Sequence, residues 1–347
     1  MSPLQLSRPI RQILEHSATL ALSCVDSKIA GFVSTTDRLR LSIWAAAALL
    51  MVTARIRSGD IVAALSADAP PFLILAAVIL LGLLADQLGL IRLLSRLIVP
   101  AHASPRRLAL GVLCLTGLLS GLVNIDVAVV IAIPMASART RGGLMAEAIA
   151  LTANSASFLL PSSNVTTLLV LSRTPLSPTG FIEMSWLAWT VVLILTVSCL
   201  SFLLRPGAES LNAPREANLL ALLADLLPLY LAASAIRGML VHGLGLGGSF
   251  VTQFLFASVL AAALDNLPAA SVIHAHGVAG HWAAILGLAM GPNLLVTGSL
   301  ATVLCRRLAL DRGAGFSAWR FSALGLFLLP IQALTAASFL HVAGTAA

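Results

Sequence analysis

The chain has 347 residues, 59% of them hydrophobic and only 10% charged, where an ordinary soluble domain carries about 25% charged residues. That deficit excludes a typical soluble fold, and long Leu-, Ala-, Val- and Ile-rich runs without two-residue alternation exclude a lipid-facing barrel. The formal charge of +7 does not signal nucleic acid, because the arginines sit in short clusters between apolar runs, the positive-inside pattern of membrane proteins.

Residues 1–40 carry Arg8, Arg11, Lys28, Arg38 and Arg40 and no long apolar core. They read as a cytoplasmic arm, not as a secretory signal. A first transmembrane half is expected over 41–204. It opens with spans at 41–56 and about 71–91, followed by a basic loop with Arg92, Arg96, Arg106 and Arg107. The stretch of about 108–138 lacks Lys and Arg, is interrupted at Asn124–Asp126, and ends beside Arg139 and Arg141. With basic loops on both sides, a re-entrant helical hairpin satisfies the positive-inside rule where a crossing would break it. The run 144–171 is interrupted at Pro161-Ser-Ser-Asn164. Proline removes a helix hydrogen bond, so a crossing helix broken near the midplane is predicted. A span from Met184 to Leu204 follows, with Trp186 and Trp189 read as an interfacial belt.

A polar linker is expected at 205–218, and a second transmembrane half over 219–347. This half repeats the order of the first. A span at 219–240 precedes a hairpin at about 249–277 with its tip at Asp265-Asn266-Leu-Pro268. A broken helix at 281–304 is interrupted at Gly291-Pro-Asn293, with Thr297-Gly-Ser299 just beyond, and the last span is about Phe321–Leu340. With the N-terminus inside, seventeen of the 21 Lys and Arg fall on the cytoplasmic side, and only Arg55, Arg57, Arg173 and Arg237 fall outside. The two hairpins then open to opposite sides. The predicted fold is therefore an all-α polytopic membrane protein of inverted repeats, each with a re-entrant hairpin and a broken transmembrane helix, and a site at the repeat interface.

Asp126 and Asp265 are the sharpest functional signals. A carboxylate at the bilayer centre costs about 2.5–3.5 kcal/mol. A helix cap is worth about 1 kcal/mol, and Asn would cap as well, so the magnitudes favour a role for the charge. Asn124 and Asn266 share the hairpin tips with these acids, and a site role is expected for both. For Asn164 and Asn293, at the helix breaks, two readings stand: they bind solute or ion, or they satisfy freed backbone groups. Ser163, Thr166, Thr297 and Ser299, with Ser162, are placed to line the same cavity, although hydroxyls also bond back to their own helix. His274, His276 and His281 read as a solvated interfacial cluster, since His-x-His alone is a weak metal signal. The four cysteines show no metal-like or disulfide-framework spacing, and no cofactor is implied.

At these residues the chain resembles the ion-transporter superfamily, and within it the arsenical pump membrane proteins, the arsenite and antimonite efflux permeases. The resemblance spans roughly residues 70–340. It is carried by Ala153-Asn-Ser-Ala-Ser-Phe-Leu-Leu-Pro-Ser-Ser-Asn164-Val-Thr166 and by Gly291-Pro-Asn-Leu-Leu-Val-Thr-Gly-Ser-Leu-Ala301. The tips match more loosely: the family's Asn-Asn-Asp is Asn124-Ile125-Asp126 here, and its Asn-Asn-Leu-Pro is Asp265-Asn266-Leu267-Pro268. An Asp-Asn tip is similar to the sodium/proton antiporter and melanosomal P-protein relatives. The resemblance implies that tips and broken helices enclose the substrate. It also implies an elevator-like movement against a scaffold, and it admits a homodimer.

The function expected is secondary transport across the cytoplasmic (inner) membrane: proton-coupled efflux of arsenite or antimonite, with sodium/proton exchange as the alternative and sodium-coupled dicarboxylate or tricarboxylate transport ranked below both. The partners are a small inorganic solute, a coupling proton or sodium ion, and membrane lipids, with no nucleic acid. No Lys or Arg occurs in 108–138, 144–172 or 238–305, and this weighs against an anionic carboxylate substrate. A membrane enzyme is not expected, because the sequence has no His-Glu-x-x-His helix and no pair of Asp residues each in a Gly-Asp setting.

Overall fold

The computed structural model describes residues 104–137, 144–174, 176–204 and 247–345, with scattered positions between 45 and 93 and between 227 and 245. The expected arm 1–40, the spans 41–56, 71–91 and 219–240, and the linker 205–218 lie wholly or largely outside the described residues. The described chain is mainly helical, with one two-residue parallel strand pair, Leu244–Gly245 against Ile273–His274.

Helix α1 (Pro105–Leu122) starts on a Ser104 cap with Pro at its first turn, and α2 (Ile125–Ser137) returns along it after Val123 and Asn124. Helix α3 (Met145–Ser155) ends early, a 3-10 turn covers Pro161–Ser163, and α4 (Val165–Leu171) resumes behind the Asn164 cap. Helix α5 (Pro178–Leu203) closes the first series. The same order then recurs. Helices α6 (Phe250–Leu264) and α7 (Asn266–Val272) form a second hairpin. Helix α8 (Gly277–Met290), two 3-10 turns and α9 (Leu300–Asp311) form a second broken helix, and α10 (Ala318–Thr345) ends the chain.

Several expected boundaries move. The first break opens at Ala156, five residues before Pro161. Helix can stop there because outside donors take up the freed carbonyls: Trp189 Nε1 donates to Ala156 O at 2.7 Å and Ser185 Oγ to Leu159 O at 3.0 Å. Trp189 is therefore buried against the break and is not part of an exposed belt, whereas Trp186 is half exposed. Helix α5 begins at Pro178 because Ser177 caps the Gly180 N–H. Helix α8 begins at Gly277, so His281 lies inside it, 7% exposed, with Nδ1 2.6 Å from Gly277 O. It is not part of a solvated cluster, whereas His274 and His276 are exposed. Helix α9 runs past Leu304 to Asp311, where Arg307 and Asp311 pair at 3.1 Å.

Two apolar cores organise the packing. One joins α1, α2, α3 and α9; the other joins α4, α6, α7 and α8; α5 and α10 pack together and contribute to both. Each broken helix thus has one half in each core, and the breaks fall where the cores meet. Glycines permit the close approaches. A Cβ on Gly287 or Gly291 would meet the backbone of α6 at Phe254 and Ser258, and one on Gly117 or Gly121 would meet Leu193 and Trp189 of α5. Small residues four apart let helix backbones touch, and this is the commonest device of helix packing in lipid.

Two helices, α5 and residues Ala318–Leu340 of α10, are long and apolar enough to cross a membrane. Their outer faces, and that of α6, are apolar: Ile194, Phe202, Val251, Val259, Leu326 and Leu334 are each more than half exposed.

Candidate functional site

Four helices start where the cores meet: α2, α4, α7 and α9, capped in turn by Asn124, Asn164, Asp265 and Ser299. A first turn leaves N–H groups without helical partners, and three of these caps answer it alike. Asn124 Oδ1 accepts from Asp126 N at 2.8 Å, Asn164 Oδ1 from Thr166 N at 3.1 Å, and Asp265 Oδ1 from Leu267 N at 3.0 Å. Ser299 makes no side-chain cap. Helix α2 packs against α9, and α7 against α4, so each hairpin's second arm leans on the far half of the other series' broken helix.

The two acids are consequently not equivalent. Asp265 is a cap and stands at φ +76°, ψ +147°, a sparsely populated region that costs a residue other than glycine roughly 1–3 kcal/mol. Its carboxylate faces the Leu300 N–H at the start of α9 and lies within electrostatic reach of Asp126, while its Oδ2 makes no hydrogen bond. Asp126 lies one residue inside α2, and its structural counterpart in the second tip is Leu267. Asp126 and Asp265 are 5% and 4% exposed, and among the described residues neither pairs with a cation.

The remaining expected residues separate. Asn266 and Ser299 are buried beside Asp265 and Leu300. Ser163 is buried and its hydroxyl bonds back to Leu160 O. Asn164 also donates to Ser157 Oγ at 3.3 Å. Thr166 is buried, whereas Thr297 is exposed on the second 3-10 turn. Asn293 is wholly buried with both ends of its amide engaged: Oδ1 accepts from Asn154 Nδ2 at 3.0 Å and Nδ2 donates to Ser155 Oγ at 2.9 Å.

That contact opens a network that the sequence did not disclose. Asn154 Nδ2 also donates to Thr302 Oγ1 at 2.9 Å, and Gln332 of α10 donates to Ser155 Oγ at 2.9 Å and to Thr196 Oγ1 of α5 at 2.7 Å. One polar cluster thus ties both broken helices to both long helices. The available signal was Gln332, an amide in the middle of an otherwise apolar span and two residues after Pro330. Arginines at the rim were also read only as topology markers. Arg320 Nη2 meets the fully buried Glu147 Oε1 at 2.9 Å, which also accepts from Ser317 N at 2.7 Å. Arg173 reaches carbonyls at the end of α7.

Chemically, the meeting point offers two carboxylates, several amides and helix N-termini, within a shell of apolar side chains. Such a centre can take up protons or hold a small cation or neutral polar solute. No protein-family model matches the chain, and no curated protein matches it.

Proposed function

We propose that the chain is a polytopic inner-membrane secondary transporter of two inverted repeats, with a cytoplasmic N-terminus, exporting arsenite or antimonite in exchange for protons. The observation that carries the reading is the acid pair: Asp126 and Asp265, buried at the tips of two helical hairpins whose return arms pack on the second halves of the broken helices. A charge kept in such a place costs several kcal/mol, so a carboxylate there points to a function that needs it. The twofold order of hairpin, half-helix, break, half-helix and long helix supports the repeat. The rim contacts support its inverted sense: Arg173, expected outside, meets the base of the second hairpin, while Arg320, expected inside, meets Glu147 near the base of the first.

Arsenite is mostly the neutral trihydroxide at neutral pH, so a cavity without Lys or Arg suits it better than it suits a dicarboxylate. Each proton moving inward through 100 mV supplies about 2.3 kcal/mol to the exchange. The Asp265-Asn266 tip favours a second reading, sodium/proton exchange. Two strains separate them. Expression in cells lacking arsenite efflux should lower arsenic accumulation and raise tolerance to arsenite and antimonite; expression in cells lacking sodium antiporters should leave growth in high sodium unrescued. The reverse pattern overturns the arsenite assignment.

A further inference from the structure

Helices α4 and α7 are each seven residues long and pack against each other. Their caps, Asn164 and Asp265, belong to the candidate site, and their other ends meet at Arg173. Its Nη1 donates to Ala270 O at 3.3 Å and Ile273 O at 3.1 Å, and its Nη2 to Ser271 O at 3.0 Å. Its own N–H bonds Val170 O at 3.1 Å, in the last turn of α4. One guanidinium therefore collects the carbonyls that the end of α7 leaves open, with a positive charge at the negative end of the helix dipole. The first hairpin is built differently: its return arm α2 has thirteen residues, most of them buried, and it leans on the twelve-residue α9. The second hairpin has only a short arm, followed at its base by the strand pair of Ile273–His274 with Leu244–Gly245, so the Arg173 contacts there govern more of its position.

We infer that Arg173 is a positioning residue: it locks the two short helices side by side and so holds the tip that carries Asp265 in place at the candidate site. The seven-residue arm transmits the lock over about 10 Å, at 1.5 Å per residue. The planar fork matters because three carbonyls in different directions are served at once, which a lysine ammonium on a flexible stem does less well. The inference rests on the proposed site but not on which solute the site carries.

The test needs no transport assay. In full-length protein with the native cysteines replaced, purified in detergent, Leu267→Cys reports on the second tip and Val127→Cys on the first; both positions are partly buried. Maleimide labelling at Leu267→Cys should quicken about tenfold with Arg173→Gln and about threefold with Arg173→Lys, magnitudes set by the loss of charge-assisted hydrogen bonds. Labelling at Val127→Cys should stay unchanged. An unchanged rate at Leu267→Cys in both variants overturns the inference, as does an equal rise at Val127→Cys, which marks general loosening. If Arg173→Gln fails to insert, Arg173→Lys decides alone, and a wild-type rate at Leu267→Cys refutes the lock.

Discussion

The bond between Asn154 and Asn293 joins residues on the two broken helices, and a double-mutant cycle tests whether it holds the breaks together. Asn293→Ala removes two hydrogen bonds, to Asn154 and to Ser155. Asn154→Ala also removes two, to Asn293 and Thr302. Each bond contributes a net 1 kcal/mol or so, so each single change should cost about 2 kcal/mol. In Asn293→Ala the partners left behind are not stranded: Ser155 Oγ still donates to Leu151 O and accepts from Gln332, and Asn154 Nδ2 keeps Thr302. Asn154→Ala leaves the buried Asn293 Oδ1 without its donor, so about 2 kcal/mol is the lower bound of its cost. The pair shares one bond, so the double variant should be at least about 1 kcal/mol less destabilised than the sum of the singles. Unfolding titrations in mixed micelles, followed by tryptophan fluorescence, measure all four corners; the buried Trp189 and Trp282 are reporters within the second core. Asn124→Ala, whose side chain caps its own turn by accepting from Asp126 N, is the additive control against Asn293→Ala. Additivity of Asn154→Ala and Asn293→Ala within about 0.3–0.5 kcal/mol would put the two amides out of contact and refute the network.

Asp126→Asn and Asp265→Asn should each insert normally yet abolish or uncouple transport, because Asn removes the charge at nearly the same volume and, at 265, can still cap α7; wild-type flux with unchanged pH dependence in both would return the acids to a structural role. Glu147→Ala removes one partner of Arg320, which is 44% exposed, so the loss should be about 1–2 kcal/mol, below the 3–5 expected when a fully buried pair is broken, with Glu147→Gln milder; thermal unfolding in detergent reads both. Gly325→Ala drives a Cβ into the Asn293 carbonyl, and Gly287→Ala places one 2.7 Å from Phe254 O, whereas Gly315→Ala meets nothing within 4 Å. Folded yield by size-exclusion chromatography should collapse for the first, fall for the second and hold for the third. Cysteines placed beside Arg173 should label from outside the cell, and those beside Arg107 and Arg320 only after permeabilisation; label reaching Arg107 from outside would make the first hairpin a crossing.

Composition and punctuation carried the architecture a long way. Scarce charge, apolar runs, and the Pro, Asn and Asp interruptions were enough to place both hairpins, both breaks and the long helices after them, because an unpaired backbone group in an apolar setting must be marked by residues able to satisfy it. The acids could be singled out for the same reason, since a carboxylate in such a run is costly. The tertiary structure decided what local patterns do not encode. Only the fold determines that Trp189 and Ser185 take up the carbonyls freed at Ala156 and Leu159, which lets the break open ahead of Pro161. Only the structure shows that Asp265 is a strained cap while Asp126 stands inside its helix. The Asn154–Asn293 bond spans 139 residues, and the Arg320–Glu147 pair 173. Spacing along a chain fixes neighbours three or four positions away on one helix; which distant amide completes a buried hydrogen bond depends on how two broken helices cross, and that is settled by packing.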